Sequence, residues 1–491
     1  LAPFRDMVCF CEPSAREQDY LDRIQRHFEA AVWQVSNTEA FRDWLWGTLF
    51  PSLPHGPLEP GGGDLLDLDG PEPWSSVAAD SSPEPAVILA SFETAFRREP
   101  LLCISAVKYL LELGVYLPLY IPLIEEMLEP LGMDDWLVLM ENYALRALKI
   151  SATPEHQGLY RDLRDALLPF GIIISERGVR HHRSPGDLVL ALSESKDQAT
   201  AKILRAEAEA MGGKLRAVVL TDYERMSART RRLKGILDPD AGSAVRVFRL
   251  LVSDPFTEIL APVLVTGKVV LASARSRPLL EGNVRRWVKK HRANFQWEWR
   301  KTSSDQILRL VGSGPDWSSR TYVALVTDLF ERGITRCLVG TRGIFGEGWD
   351  TLSLNTLVDL TSVTTSTAVQ QIRGRSIRLD PSWPRKVAHN WDVVCISPEY
   401  DRGNTDLRRF VARHEHTWGL VTGPNPARPA KGVDDVVETI SSDVRPSDPA
   451  PAGQEAMLQP AIQGRVVRGV AHVDLRLASE LSTRDFSRVR Y

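Results

Sequence analysis

The pattern of apolar and polar positions changes near residue 186, and each side predicts a different kind of structure. From about 186 to 421, helix-like segments alternate with short apolar runs. This alternation predicts βαβ units, and therefore an α/β fold with a parallel sheet and helices on both faces. Over 88–185, apolar side chains recur at helical spacing instead, which predicts a helical module. The clearest run comprises Ala106, Tyr109, Leu110 and Leu113.

Individual elements can be placed within the second region. The predicted strands are 215–222, 262–267, 336–341, 356–362 and 391–397. The predicted helices are 197–211, Thr321 to Arg332, and a segment ending near Arg378, where Asp380-Pro381 stops it.

Three other stretches have their own character. Residues 1–50 predict a strand at Met7 to Cys11, followed by a helix from about Ala15 to Val35. Residues 51–87 are rich in Pro, Gly, Asp and Ser, and such a composition predicts a flexible linker without a core. Residues 422–491 are expected to form a largely irregular tail for the same reason.

Composition and charge exclude some classes of protein. The net charge is -3, so any nucleic acid would have to be held by local basic patches. The five cysteines lack zinc-knuckle or redox spacing, and we expect reduced thiols in a cytoplasmic protein with no metal site. No apolar run reaches the roughly 18 residues that a membrane span needs. We therefore expect no membrane association.

Basic side chains are concentrated in residues 371–378, whose sequence is QIRGRSIR. Spacings of i, i+3, i+4 and i+7 place four of these residues on one helix face: Gln371, Gly374, Arg375 and Arg378. Together with Arg373, the arginines repel one another unless an anion lies opposite, and guanidinium groups suit phosphate. A solvated basic helix face is the alternative interpretation.

A glycine-rich loop, residues 340–350, follows a predicted buried strand. Its glycines permit a tight path and a close approach of the backbone to a ligand: Gly340, Gly343, Gly346 and Gly348. Ligands of open α/β sheets bind at the carboxyl ends of strands. An acidic residue there, Asp350, can accept a hydrogen bond from a ribose hydroxyl or orient an arginine. The alternative is an ordinary turn in which Asp350 caps a helix.

The order and spacing of these two segments resemble motifs V and VI of superfamily 2 (DEAD/DEAH-type) helicases. Motif VI, Q-x-x-G-R-x-x-R, matches residues 371–378, and the G-x-D that ends motif V matches Gly348 and Asp350. The strand at 215–222 resembles motif IV more weakly. The resemblance implies a RecA-like sheet and a nucleic-acid-dependent ATPase.

The resemblance also implies roles for individual residues. Arg375 and Arg378 would be arginine fingers on the γ-phosphate of ATP. Four other residues would bind ATP: Gly348, Asp350, Gln371 and Gly374. Three residues would contact the backbone of DNA or RNA: Thr221, Thr341 and Arg342.

Two motifs of the family are missing from this sequence. It contains no G-x-x-x-x-G-K-[ST] phosphate loop and no D-E-x-[DH] box after an apolar strand. We therefore expect the chain to be the C-terminal part of a larger motor, with ATP and Mg²⁺ held mainly by a first domain encoded upstream. Residues 1–50 resemble the end of that first domain. The absence of Met at position 1 agrees with a fragment.

Three basic stretches outside the motifs are further candidates for nucleic-acid contacts. The densest is Arg285, Arg286, Lys289, Lys290 and Arg292, followed by Trp297, Trp299, Arg300 and Lys301. The second is Arg177, Arg180, His181, His182 and Arg183, and the third is Arg229, Arg231, Arg232 and Lys234. For each, a solvated surface is the alternative.

Three functions stay open at this point. The first is the C-terminal motor domain of an ATP-dependent helicase or translocase. The second is a nucleic-acid-binding protein without catalysis, descended from a truncated helicase. The third is the motor part of a restriction or phage-defence complex. DNA and RNA are equally compatible with the motifs.

Overall fold

A computed structural model describes residues 2, 4–53, 84–115, 117–118, 121–225, 233–346, 349–415, 418–421 and 428–431. The chain divides into two compact units. We call Leu1–Asp19, Asp187–Glu399 and Gly403–Tyr491 the sheet unit, and Tyr20–Gly186 with Tyr400–Arg402 the helical unit.

The strands, in chain order, are β1 (Phe4–Cys11), β2 (Ile172–Ser175), β3 (Gly178–His181), β4 (Ala217–Thr221), β5 (Val263–Val265), β6 (Val270–Ser273), β7 (Gln296–Lys301), β8 (Ile307–Ser313), β9 (Cys337–Thr341), β10 (Thr356–Asp359), β11 (Ala388–Cys395), β12 (Trp418–Val421) and β13 (Arg428–Lys431). The α-helices are α1 (Ala15–Ser36), α2 (Glu39–Leu49), α3 (Pro85–Arg98), α4 (Pro100–Glu112), α5 (Glu125–Leu128), α6 (Met133–Tyr143), α7 (Pro154–Leu167), α8 (Pro185–Leu192), α9 (Glu194–Met211), α10 (Ala244–Ser253), α11 (Pro255–Glu258), α12 (Arg277–His291), α13 (Ser319–Glu331), α14 (Arg342–Phe345), α15 (Ser366–Ser376) and α16 (Thr405–His414).

The sheet unit is built on a nine-stranded sheet with the order β1-β11-β10-β4-β9-β5-β6-β8-β7. The six strands from β1 to β5 in this order are parallel. The prediction of a RecA-like α/β fold is therefore confirmed for this part of the sheet. The edge formed by β6, β8 and β7 is antiparallel, which the alternation of helices and strands did not predict.

Two hydrophobic layers cover the two faces of the sheet. Along β4, Ala217 and Val219 belong to one layer, whereas Val218 and Leu220 belong to the other. This alternation follows from the two-residue period of a strand. Helices α9 and α10 pack on the first face, and α12 and α13 pack on the second. Because both faces are covered, the central strands are continuous apolar runs.

Most predicted elements of the sheet unit are present, with shifted ends. All five predicted strands exist, but β11 begins at Ala388, before the predicted 391–397. Helix α9 begins earlier than predicted, at Glu194, and the helix expected to end near Arg378 ends at Ser376. Helix α10 was not predicted, although it buries six of its ten residues.

The strand predicted near the N-terminus is also present. It is β1, and it pairs in parallel with β11 at the edge of the nine-stranded sheet. Residues 1–50 were assigned to the end of a first motor domain, and that origin stays a prediction. Their first strand, however, is hydrogen-bonded into the sheet of the later domain.

The helical unit includes residues 88–185, for which a helical module was predicted, but it begins earlier, at Tyr20. It comprises the helices from α2 to α7, most of α1, and the antiparallel hairpin β2–β3. Helix α3 begins at Pro85, inside the stretch predicted as linker, because Pro suits the first turn of a helix. Residues 54–83 of that linker and most of the predicted tail lie outside the described residues. Among the described helices, none combines the length and apolarity needed to cross a bilayer.

Candidate functional site

The candidate site lies at the carboxyl edge of the parallel strands. Strands β9 and β10 flank β4 and run in the same direction, so the segments that follow them reach the same edge. The glycine-rich loop, residues 340–350, follows β9, and α15 follows β10. The two segments singled out by their sequence are thus neighbours in the structure.

The glycines of this loop have different surroundings. A Cβ atom on Gly340 would lie 2.5 Å from the carbonyl oxygen of Val265 and 2.6 Å from the Phe345 ring. A Cβ on Gly346 would lie 2.5 Å from the carbonyl oxygen of Arg342. Close packing therefore favours glycine at both positions, against β5 and Phe345 at Gly340 and within the loop at Gly346. Gly348 lies outside the described residues.

Trp349 anchors the loop to the helix beneath it. Its side chain is buried, and its Nε1 donates a hydrogen bond to Oγ1 of Thr327 on α13 at 2.9 Å. Its ring also packs edge-on against Phe345, with 4.6 Å between ring centroids. Sequence analysis did not single out Trp349, although a tryptophan within a glycine-rich loop suggests such an anchor.

The side chain of Arg375 binds the backbone of the glycine-rich loop. The guanidinium group donates hydrogen bonds to the carbonyl oxygens of Gly346 and Trp349. Burial lowers the pKa of Arg375, and the positive charge of Arg378 lowers it further, whereas Asp350 raises it. Because two backbone acceptors hold this half-buried side chain, Arg375 joins α15 to the loop.

Arg378 is more accessible and has a different partner. It forms an ion pair with Asp350, and the side chains of Arg378 and Asp350 are 37% and 67% exposed. A surface ion pair of this kind contributes little to stability and can exchange its partner for another anion. Two residues predicted for the nucleotide site are therefore brought together at the surface.

Lys386 is a third link between these segments, and it was not predicted. Its side chain is buried, and Nζ donates to the carbonyl oxygens of Leu352 at 2.6 Å and Arg378 at 2.7 Å. Burial lowers the pKa of Lys386 to about 8, with Asp380 raising it and Arg378 lowering it. The lysine holds the chain beyond α15 against the chain beyond the loop.

Arg373 does not share the site with Arg375 and Arg378. Residues two apart on a helix point in different directions, and Arg373 is buried, where it pairs with Asp392 of β11. The hypothesis that three arginines face one external anion is therefore wrong for Arg373. The anion opposite it belongs to the protein itself.

Asp392 is the centre of a buried polar network. Besides Arg373, it accepts from Nη1 of Arg413 at 2.7 Å and lies 3.2 Å from Nε2 of His414. Burial raises the pKa of Asp392, but these neighbouring cations outweigh it and hold the pKa well below its ordinary value. Arg413 also reaches Asp359 at 3.2 Å, so the network fixes α15 and α16 to two adjacent strands.

The remaining residues predicted for the nucleotide site lie on α15. Gln371 is exposed, and Gly374 is half-buried. A Cβ atom added to Gly374 would meet no atom within 4 Å. In contrast to Gly340, nothing in the surrounding fold requires a glycine at position 374.

The three predicted nucleic-acid contacts differ in accessibility. Thr221 and Thr341 are register partners at the ends of β4 and β9. Thr221 is fully buried and its hydroxyl donates to the carbonyl oxygen of Tyr223 at 3.0 Å, so it presents no surface to a ligand. Thr341 is half-buried, and Arg342 is exposed at the start of α14.

The densest basic and aromatic stretch forms α12 and the edge strand β7. Trp297 and Trp299 pack against the hydrophobic layer of that face, as in the alternative of a solvated surface. Arg285 pairs with Glu281 at 2.9 Å. Residues 229, 231 and 232 of the third basic stretch lie outside the described residues. Within the described part of the chain, no three His, Cys, Asp or Glu side chains are grouped to hold a metal ion.

Comparison with family models and with curated proteins finds no match. Among solved structures, the chain is similar to the C-terminal part of the Fun30 ATPase domain, known from a crystal structure. The sequence identity is 9% and the TM-score is 0.28, over 80% of this chain and 86% of the other. The fold class stated above rests on the sheet itself and not on this similarity.

Proposed function

We propose that this chain is the second motor half of an ATP-dependent nucleic-acid helicase or translocase. The observation that carries the proposal is the convergence of α15 and the glycine-rich loop at the carboxyl edge of a parallel sheet. There Arg378 meets Asp350, and Arg375 binds the loop backbone. A partly exposed cation beside a loop that is held in place is an arrangement that can respond to a phosphate.

The two arginines have different roles in this proposal. Arg378 is the arginine finger, because a phosphate oxygen can replace its exposed partner Asp350. A cation placed on the transferring phosphoryl group stabilises the charge of the transition state. Arg375 is a positioning residue, since its donors are engaged by backbone carbonyl oxygens. Its hydrogen bonds fix the end of α15, which lies two residues before Arg378.

The described residues fit one end of ATP and do not fit Mg²⁺. Arg378 and the open space beside Gly374 suit the γ-phosphate end of the nucleotide. No described cluster of carboxylates is arranged for a cation. The base, the other phosphates and the metal would therefore be held by a first motor domain, and no step is assigned to Mg²⁺ here.

Nucleic acid would be contacted at the opposite end of the same loop. Thr341 and the exposed Arg342 lie at its start, whereas Asp350 lies at its end. In this proposal the same loop contacts the nucleotide and the nucleic acid. Nucleotide binding can therefore shift the equilibrium between two arrangements of the bound nucleic-acid strand. Thr221 has no part in this proposal because it is buried.

The test is ATP hydrolysis by the longest natural form of the protein that contains these residues, with and without single-stranded DNA or RNA. We expect hydrolysis that nucleic acid stimulates. Nucleic-acid binding without hydrolysis in any condition would contradict the enzyme and favour a non-catalytic binding protein. Stimulation by DNA and not by RNA would agree with the proposal and also with a motor in a restriction or phage-defence complex.

A further inference from the structure

The hairpin β2–β3 of the helical unit carries a basic surface that the proposed site does not use. Its strands pair from Ile172 opposite His181 to Ser175 opposite Gly178. Ile172 is buried, and all residues from 180 to 183 are exposed. One strand therefore fixes the hairpin to the unit, and the other displays the basic side chains.

Two arginines of the hairpin differ from several other exposed arginines of the helical unit. Four of those make ion pairs with carboxylates: Arg97, Arg98, Arg146 and Arg164. Among the described residues, the side chains of Arg177 and Arg180 have no ion-pair or hydrogen-bond partner. Neither guanidinium group is therefore paired with a described carboxylate, although Glu141 contacts His181 of the same hairpin at 3.1 Å.

The hairpin is held firmly at its turn. Nζ of Lys149 donates to the carbonyl oxygens of Ser175 and Glu176, both at 3.0 Å. The hydroxyl of Ser175 donates to the carbonyl oxygen of Gly178 at 2.9 Å, and Gly178 has a φ of 121°, which favours glycine. A fixed turn lowers the entropy lost on binding, and Lys149 adds a third cation beside it.

We propose that the hairpin β2–β3 binds the phosphate backbone of a nucleic-acid strand through Arg177 and Arg180. The inference rests on the proposed function, which supplies the nucleic acid. Residues 171–183, all of which are described, expose no large hydrophobic side chain, and the exposed Ile150 lies outside the hairpin, next to Lys149 in the chain. A protein partner would need an apolar or aromatic anchor there, whereas a phosphate backbone needs cations alone. Nucleic acid is therefore the occupant that this surface fits.

The experiment compares the full chain with an Arg177→Ala/Arg180→Ala variant by fluorescence anisotropy of a labelled single strand over a range of salt concentrations. Single strands lose roughly 0.7 log units of affinity per log unit of salt for each phosphate contact. Losing two contacts should lower the salt slope by about 1.4 and weaken binding about 25-fold at ~0.1 M salt.

The matched control is Arg97→Ala/Arg98→Ala, which removes the same charge from side chains that are both 80% exposed. It should leave the salt slope unchanged. If the parent chain binds nucleic acid and the hairpin variant binds equally well, the hairpin proposal is wrong and the proposed function stands. If the parent chain binds no nucleic acid, both the hairpin proposal and the proposed function are wrong. The same titration is run with labelled polyglutamate. If the hairpin variant loses polyglutamate binding but keeps its affinity for the single strand, the proposal is overturned in favour of an acidic protein partner.

Discussion

The ammonium group of Lys386 lies 2.7 Å from the carbonyl oxygen of Arg378 and donates a hydrogen bond to it. The last carbonyl groups of a helix and of the turn after it lack partners within the helix, and a lysine can supply one. The same group also binds the carbonyl oxygen of Leu352, 2.6 Å away. A single buried cation thus links the segment just after the glycine-rich loop to the backbone at Arg378.

This burial predicts a pH dependence of stability that runs opposite to the usual case for lysine. The pKa of Lys386 is lowered from 10.5 to about 8 in the folded protein. Between these values the unfolded chain binds the proton and the folded chain does not. Stability should therefore rise with pH across this window, by up to about 1.4 kcal/mol per pH unit.

The measurement is urea unfolding from pH 7 to 10.5, comparing the parent chain with Lys386→Met. Because other groups titrate in this range, the difference between the two proteins is the relevant quantity. The parent should gain stability relative to the variant as the pH rises. A difference that does not change with pH would contradict the assignment.

The network around Asp392 predicts a large loss of stability on a conservative change. Asp392→Asn removes the charge that faces Arg373 and Arg413, both buried. Removing one partner of a buried ion pair typically costs about 3–5 kcal/mol. Chemical unfolding should show this loss, whereas Asp305→Asn, at a carboxylate that is 91% exposed, should change stability by less than about 0.5 kcal/mol. If Asp392→Asn lost no more stability than Asp305→Asn, the buried network would not be needed for stability.

Two glycines predict opposite effects of one substitution. Gly340→Ala places a methyl group 2.5 Å from a carbonyl oxygen and should destabilise the protein by roughly 1–3 kcal/mol. Gly374→Ala meets open space within α15 and should stabilise it by about 0.5–1 kcal/mol. If Gly374 borders the nucleotide, the same variant should hydrolyse ATP more slowly. A stable and fully active Gly374→Ala protein would remove this residue from the site.

The sheet could be predicted largely from the sequence because strands buried on both faces are short continuous apolar runs. The antiparallel edge could not, since an amphipathic strand such as QWEWRK carries no signal for its direction. The convergence of residues 340–350 with residues 371–378 followed from their motifs. The division of roles between Arg375 and Arg378 did not, because the acceptors of Arg375 are backbone carbonyl oxygens, which any residue provides.

The buried partners were also beyond the reach of sequence patterns. Asp392 lies in an otherwise mainly apolar strand, and a carboxylate in that position indicates a buried cation opposite it. Nothing in the pattern, however, distinguishes Arg373 from the other arginines as that cation. Arg373 is the partner of Asp392 because its side chain points from α15 towards β11.

The most direct test of the account is the rate of ATP hydrolysis by three variants of the longest natural form of the protein, saturated with single-stranded nucleic acid. Arg378→Ala should lower kcat by about 10³–10⁵-fold without a loss of stability, because it removes an arginine finger. Arg375→Ala should lower both activity and stability, since it frees the loop. Arg385→Ala, at an exposed arginine nearby, should change neither. Unchanged hydrolysis by Arg378→Ala would contradict the account.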